Sequence, residues 1–166
     1  MTMLTTAQQA ALKAAILADT ELNAFPQNQD GAWAIAAILN QTATPAFYVW
    51  RHSVPVNEIM ANGFDWTRVD NLTVGKSRIW EWMASVGSIY PSQANVRAGV
   101  LAVFGTAGDL AMRQAIFGHC QRLATRAEKL FSTGTGTTVT EQGVGPATMG
   151  YDGQLSYDDV YNARIS

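Results

Sequence analysis

The sequence predicts a mainly α protein: a bundle of about five or six helices followed by an extended, β-hairpin-like C-terminal arm. Two observations favour this fold class. Apolar residues recur at helical spacing through most of residues 1–132, whereas residues 133–166 are rich in Thr and Gly and poor in large apolar side chains. A chain of 166 residues, 48% of them apolar, suffices for one helical body (1–132) and an appendage (133–166).

The first helix is predicted to begin at Thr5 or Thr6, because each is followed three residues later by a glutamine, as in a capping box. It should run to about Thr20. Pro26 interrupts the chain, and Asp30 is then expected to cap a second helix. That helix is apolar almost all round, which is typical of a buried helix.

The middle of the body is predicted to hold a short strand and further helices. The run FYVW at residues 47–50 favours an extended segment, and Ser53 is expected to cap a helical turn. A helix is predicted over about 75–90. Pro91 breaks it, and another apolar helix follows.

The last helix of the body is predicted over roughly 107–132. Its apolar residues are spaced 4, 3, 4 and 3 apart, which gives one narrow seam. The seam consists of Ile116, Cys120, Leu123, Ala127 and Leu130.

The arm is predicted to contain two short extended pieces, TGTGTTVT and PATMGY, joined by the turn EQGVGP. Ser156 and Asp159 form a capping box for a terminal helical turn. Because an isolated hairpin is marginal in water, the arm must lie on its own body, join a neighbour's edge or order on assembly. Deleting it is expected to leave a folded helical monomer. The expected partner-binding residues are Thr135, Thr137, Val139, Met149, Tyr151, Leu155 and Tyr157.

Five tryptophans, all in the first half of the chain, are a second candidate for partner contacts. Trp80 and Trp82 are two residues apart, so on a helix they cannot both face one core, and one should face a partner or a second layer. Core use is still the more frequent role of tryptophan. The candidate interface residues are Trp80, Trp82, Arg122 and Arg126.

No catalytic residue is predicted. Gly75-Lys76-Ser77 resembles the end of a P-loop, but Asp70 stands where the signature needs its first glycine. Gly134-Thr135-Gly136 precedes no helix, unlike a dinucleotide-binding turn. The scattered carboxylates leave open a pair that only the fold would bring together.

No metal site, cofactor or internal disulfide is predicted. Cys120 is the only cysteine and is expected to pack in a core, and only His52 and His119 add imidazoles. The N-terminal segment lacks a basic start and its apolar run is interrupted by Gln8, Gln9 and Lys13, so a soluble, unprocessed intracellular protein without membrane contact is expected. The formal net charge of −2 is not that of a dedicated nucleic-acid binder.

Several stretches resemble a family of small virion proteins of tailed bacteriophages. The resemblance spans about residues 19–164 and is carried by NAFPQNQDGAWAIAAILNQTATPAFYVWR, SQANVRAGVLAVF, RLATRAEKLFSTGTGT and YDGQLSYDDV. Its most specific part is ATRAEKLFSTGTGT, residues 124–137. It implies a structural part of the virion, assembled in the host cytoplasm, and transfers no catalytic residue.

The resemblance most plausibly places the protein at the neck, as a head–tail connector or adaptor. It would form a ring of identical copies between the portal protein and a tail-side neck protein, with DNA passing through without sequence-specific binding. A closed ring needs two different faces on each subunit, which a body and an arm would supply. The alternatives are a tail-completion or capsid-surface (cement) protein and, less favoured, a small enzyme or regulator.

Overall fold

The computed structural model describes residues 4–166, which form a mainly α protein with minor sheet. The α-helices of this range are α1 (Thr6–Ala18), α2 (Thr20–Asn23), α3 (Gln29–Leu39), α4 (Val56–Ile59), α5 (Trp66–Asp70), α6 (Val74–Ser85), α7 (Ala94–Val103), α8 (Leu110–His119), α9 (Arg126–Leu130) and α10 (Tyr157–Ile165). A 3₁₀ turn, Ala107–Asp109, precedes α8. These ten helices exceed the predicted five or six because most are short and several predicted helices are divided.

The strands of the described range form three two-stranded sheets, β1 with β4, β2 with β3 and β5 with β6. Their bounds are β1 (Tyr48–Trp50), β2 (Val54–Pro55), β3 (Ser88–Ile89), β4 (Gln121–Leu123), β5 (Ser132–Thr133) and β6 (Thr148–Met149). β2 and β3 are antiparallel, with Val54 opposite Ile89. The predicted strand at 47–50 is confirmed as β1.

The chain forms two compact units that do not coincide with the predicted division after residue 132. Unit 1 takes the chain up to Phe47, together with Leu123–Thr133 and Met149–Ser166. Unit 2 takes Tyr48–Arg122 and Gly134–Thr148. Each unit is therefore built from segments that are far apart in sequence.

In unit 1, α10 packs against α1 and α3, and the three helices share one apolar core. The end of the chain contributes several of its buried side chains, so this core cannot close without residues 149–166. The buried residues are Leu4, Leu12, Ile16, Leu22, Ala32, Ile35, Ala36, Leu39, Ala127, Tyr151, Leu155, Val160 and Ala163.

Polar contacts hold the chain end in unit 1. The Asn40 side chain donates to the carbonyl of Leu155 over 2.9 Å and accepts from its N–H over 2.8 Å. Gln8 donates to the carbonyl of Gly150 over 2.8 Å. The capping box of Ser156 and Asp159 is confirmed, and it begins a nine-residue helix rather than a single turn.

In unit 2, the Thr/Gly segment rests on β1 and on α8. Tyr48 N–H donates to the carbonyl of Gly136, and Trp50 N–H donates to that of Ala147, over 2.8 and 3.0 Å. Gly143 lies so close to the Phe117 ring that a Cβ there would come within 2.7 Å of it. The buried residues of this core are Trp50, Val54, Ile59, Trp80, Ile89, Val100, Val103, Phe104, Met112, Ile116, Phe117, Cys120 and Val139.

The predicted helix over 107–132 is wrong as a single element. It is divided into the 3₁₀ turn, α8, β4 and α9, because the main chain after His119 becomes extended and pairs with β1. A new helix then begins at the capping box of Thr125 and Glu128. The chain passes from unit 2 to unit 1 within this predicted helix.

Several predicted helix boundaries differ from the structure by a few residues. The capping box of Thr5 with Gln8 is confirmed, but α3 is capped by Asn28, whose Oδ1 accepts the N–H of Gly31, rather than by Asp30. Pro55, and not Ser53, precedes α4. The helix predicted over 75–90 ends at Ser85.

No single helix in residues 4–166 is long and apolar enough to cross a membrane. Only α7 taken together with the turn and helix over Ala107–His119 passes the same test of length and composition, and this pair is bent by 116°.

The packing of α10 predicts that deletion of residues 149–166 unfolds unit 1, contrary to the expectation of a folded body without the arm. Burial of a Leu, Val or Tyr side chain contributes about 1.5–3 kcal/mol of stabilisation. The loss of several such side chains therefore exceeds the free energy of unfolding expected of a small unit. Hydrogen exchange of α1 and α3 amides measures this directly. If those amides stayed protected in the truncated chain, α10 would be dispensable.

Asn40→Ala provides a milder test of the same anchor. It leaves both polar groups of Leu155 without their partner and should lower the free energy of unfolding by about 1–3 kcal/mol. The exposed Asn23→Ala is the matched control and should change it by less than about 0.5 kcal/mol. Equal effects of the two variants in urea unfolding would contradict the anchoring role.

Candidate functional site

Three of the predicted partner-binding residues are buried in the cores. Val139 is buried in unit 2, where its N–H donates to Gln121 Oε1 over 2.8 Å. Tyr151 and Leu155 are buried in unit 1. In the structure these three side chains are therefore not exposed for docking, because the few large apolar residues of this segment are the ones that complete the two cores. Their role in partner binding stays a prediction.

The other residues of the predicted arm are at or near the surface. Thr135 and Thr137 are exposed, and the hydroxyl of Thr135 donates to the carbonyl of Gly145 over 2.9 Å within unit 2. In unit 1, Met149 is half-buried and Tyr157 stacks on Trp33. These side chains are divided between the two units, with Thr135 and Thr137 in unit 2 and Met149 and Tyr157 in unit 1.

The candidate interface residues are also divided among different environments. Arg126 forms an ion pair with Asp19 over 3.1 Å in unit 1, and Arg122 is half-buried in unit 2. Trp80 is 4% exposed and packs between Phe64 and Phe104, with ring centroids 5.5 and 5.2 Å away.

Trp82, two residues along α6, is 73% exposed and has the largest exposed fraction among the big apolar side chains described. Val86, one turn later, is 67% exposed. Each such side chain that stays in water does not contribute the roughly 1.5–3 kcal/mol of stabilisation that its burial would give. The outer face of α6 is therefore the strongest candidate for a contact surface in unit 2.

An open apolar groove of about 260 Å³ lies beside this face, between α6, β3 and α7. It is lined by Ile79, Met83, Val86, Ser88, Ile89, Tyr90, Asn95, Val96 and Gly99. Gly99 makes room for the thioether of Met83, which would be 3.3 Å from a Cβ at that position. The groove and the outer face of α6 together form what we call the α6 surface.

The α6 surface offers apolar contact area and few polar groups, so its chemistry suits an apolar side chain of a partner. Sequence periodicity had singled out part of it: Ile79, Met83, Val86 and Tyr90 are spaced 4, 3 and 4 apart. Such spacing predicts a buried stripe equally well, and only the fold shows that this stripe is partly exposed.

Charged side chains of unit 2 are grouped around Arg51. Its guanidinium makes two hydrogen bonds to the Glu58 carboxylate and donates to the carbonyl of His119 over 3.0 Å. The hydrogen bond from Arg51 lowers the pKa of Glu58 below its ordinary value of 4.5. His119 Nδ1 lies 3.9 Å from the same carboxylate. The contacts of Arg51 therefore connect the residue after β1 with α4 and with the C-terminal end of α8.

Cys120 is buried, as expected for core packing, and its thiol donates to the carbonyl of Ile116 over 3.2 Å. Burial raises its pKa to about 12, so the thiol stays neutral at physiological pH and is a poor nucleophile. In residues 4–166, no three His, Cys, Asp or Glu side chains are grouped so that they could hold a metal ion.

The P-loop-like tripeptide is helical in the structure. Gly75 lies within α6, and Thr73 rather than Ser77 caps this helix, accepting the N–H of Lys76. Because Gly75 is in a regular helix, no glycine-rich loop surrounds a phosphate here.

Searches with the sequence and the structure find no matching family model, curated protein or solved structure.

The Arg51–Glu58 pair predicts a specific pH dependence. A carboxylate whose pKa is lowered on folding contributes stability above its unfolded pKa and loses it as the pH falls through the folded value. Glu58→Gln should therefore be less stable than the original protein at pH 7, by about 1 kcal/mol or less because the pair is partly solvated. This difference should shrink below about pH 4.5.

Urea unfolding between pH 3 and 7 tests the dependence, with Glu81→Gln as the matched control on an exposed carboxylate of unit 2. The control should follow the original protein at every pH. A Glu58→Gln difference that did not change with pH would show that the ionised carboxylate is not the source of the stabilisation.

Proposed function

We propose that the protein is a structural component of a tailed-phage particle, a head–tail adaptor that forms a ring between portal and tail. The sequence resemblance over residues 19–164 supports the assignment to such a particle. The α6 surface is the observation that supports assembly, because Trp82 and Val86 are placed in water beside an apolar groove. An exposed apolar patch of this kind commonly marks a protein–protein contact.

In this proposal the α6 surface takes over the docking role that the sequence suggested for residues 133–166. A ring repeats one heterologous contact, in which this surface of one copy meets a different face of the next. Tryptophan is favoured at such contacts because its large ring removes much apolar area from water at a small entropic cost. Repetition around the ring strengthens a weak single contact.

The balance of charges suits a channel component. The formal net charge of −2 gives the phosphate backbone of DNA no strong electrostatic grip, so a DNA molecule could slide past. The resemblance is also compatible with a tail-completion or capsid-surface protein. All of these locations in the particle require a contact surface, and they differ only in the partner that this surface would bind.

The α6 surface predicts that Trp82→Ser combined with Val86→Ser abolishes assembly while leaving the fold intact. Both side chains are exposed, so their replacement costs unit 2 little stability. Light scattering of the protein, alone and mixed with its portal protein, measures the mass of the complex. The original protein should form a portal-bound ring, and the double variant should stay unbound.

Val144→Ser is the matched control, because Val144 is an exposed apolar residue of unit 2 that does not line the groove. It should assemble as the original protein does. A double variant that still formed the ring would remove the α6 surface from the contact. If the protein did not bind the portal but co-sedimented with tails or capsids, the adaptor role would be contradicted. A tail-completion or capsid-surface role would then be favoured.

A further inference from the structure

Unit 1 carries an aromatic platform on its surface, made by Trp33 of α3 and Tyr157 of α10. The two rings are stacked, with centroids 5.4 Å apart and planes inclined by 12°. Trp33 is 61% exposed, although it lies on a helix whose other face is in the core. Stacking holds the indole in one orientation, so a flat apolar surface is presented to solvent.

A polar pocket of about 400 Å³ lies next to this platform. It is lined by Gln27, Asn28, Gln29, Asp30 and Tyr161. Asp30 is three residues before Trp33 on α3, and Tyr161 is four residues after Tyr157 on α10, so each is one helical turn from its platform residue. Since α3 packs on α10, the platform and the pocket form one continuous surface.

The side chains of this pocket have hydrogen-bonding capacity to spare. Within residues 4–166, those of Gln27, Gln29 and Asp30 make no hydrogen bond or ion pair to protein. Asn28 uses its Oδ1 to cap α3, which leaves its amide NH₂ as a donor. Neighbouring amides and a carboxylate supply both donors and acceptors.

The loop that carries these side chains is held in place before any ligand arrives. Arg164 donates to the carbonyls of Phe25 and Pro26, over 2.8 Å each. Gly31 closes the loop, since a Cβ at this position would lie 2.0 Å from the carbonyl oxygen of Pro26. A fixed loop loses little conformational entropy on binding.

We propose that this surface binds a neutral oligosaccharide. The C–H face of a pyranose would pack on Trp33, and its hydroxyl groups would exchange hydrogen bonds with Gln27, Gln29 and Asp30. An apolar wall with a few convergent polar groups is the usual composition of a ligand site. Hydroxyl groups both donate and accept, so they can pair with the amides and with the carboxylate alike.

Two other ligand classes fit less well. An anion would meet the carboxylate of Asp30, while the guanidinium of Arg164 is engaged by two carbonyls. A quaternary ammonium ion is usually enclosed by several aromatic faces. Here Trp33 and Tyr157 are stacked on each other, so they present a platform and not a cage.

Isothermal titration of the full chain with maltohexaose, cellohexaose, hexa-N-acetylchitohexaose and xylohexaose tests the proposal. At least one should bind with a Kd of about 1 mM or tighter. Trp33→Ala should weaken that binding by about tenfold or more, and Gln29→Ala by a smaller factor. Trp66→Ala, which removes an exposed tryptophan of unit 2, is the matched control and should bind as the original protein does.

The proposal is overturned if none of the four sugars binds at sugar concentrations up to about 10 mM, tenfold above the expected Kd. It is also overturned if Trp33→Ala, shown to be folded by circular dichroism, binds the sugar with unchanged affinity. Binding of tetramethylammonium, but of no sugar, would assign the platform to cationic ligands instead. The test does not involve the portal, so its outcome is independent of ring assembly.

Discussion

The packing of α10 against α1 and α3 is the contact on which unit 1 depends. It joins the end of the chain to its first helices, and it buries Leu155 and Val160, which are more than a hundred residues from Leu12. Contacts so distant in sequence cost loop-closure entropy before they contribute stability. Asn40 fixes the register of this closure by pairing with both polar groups of the Leu155 main chain.

This arrangement explains why capping boxes could be predicted from the sequence, whereas contacts between distant segments could not. Capping boxes at Thr5 and Ser156 depend on residues three positions apart, and both are confirmed. The helix predicted over 107–132 failed because its apolar seam serves two cores, with Ile116 in unit 2 and Ala127 in unit 1. Periodicity does not reveal which core a residue enters.

A signal for the break was nevertheless present in the sequence. Thr125 and Glu128 form a capping box, which marks the start of a helix and not its middle. The Thr/Gly segment was harder to interpret: its low apolar content left open whether it lies on its own body, joins a neighbour or orders on assembly. In the structure, its glycines allow close packing, as where Gly143 meets Phe117, and Val139 enters the core of unit 2.

The exposed tryptophans follow from the same division into two units. α3 and α6 each use one face for a different core, and each places a tryptophan, Trp33 or Trp82, on the opposite face. Neither ring is buried in a core, and Trp33 stacks on Tyr157 of its own unit. Substitutions at sites with no shared partners act nearly additively. The proposed ligand surface on unit 1 and the proposed assembly surface on unit 2 also use different residues, which are packed on different cores.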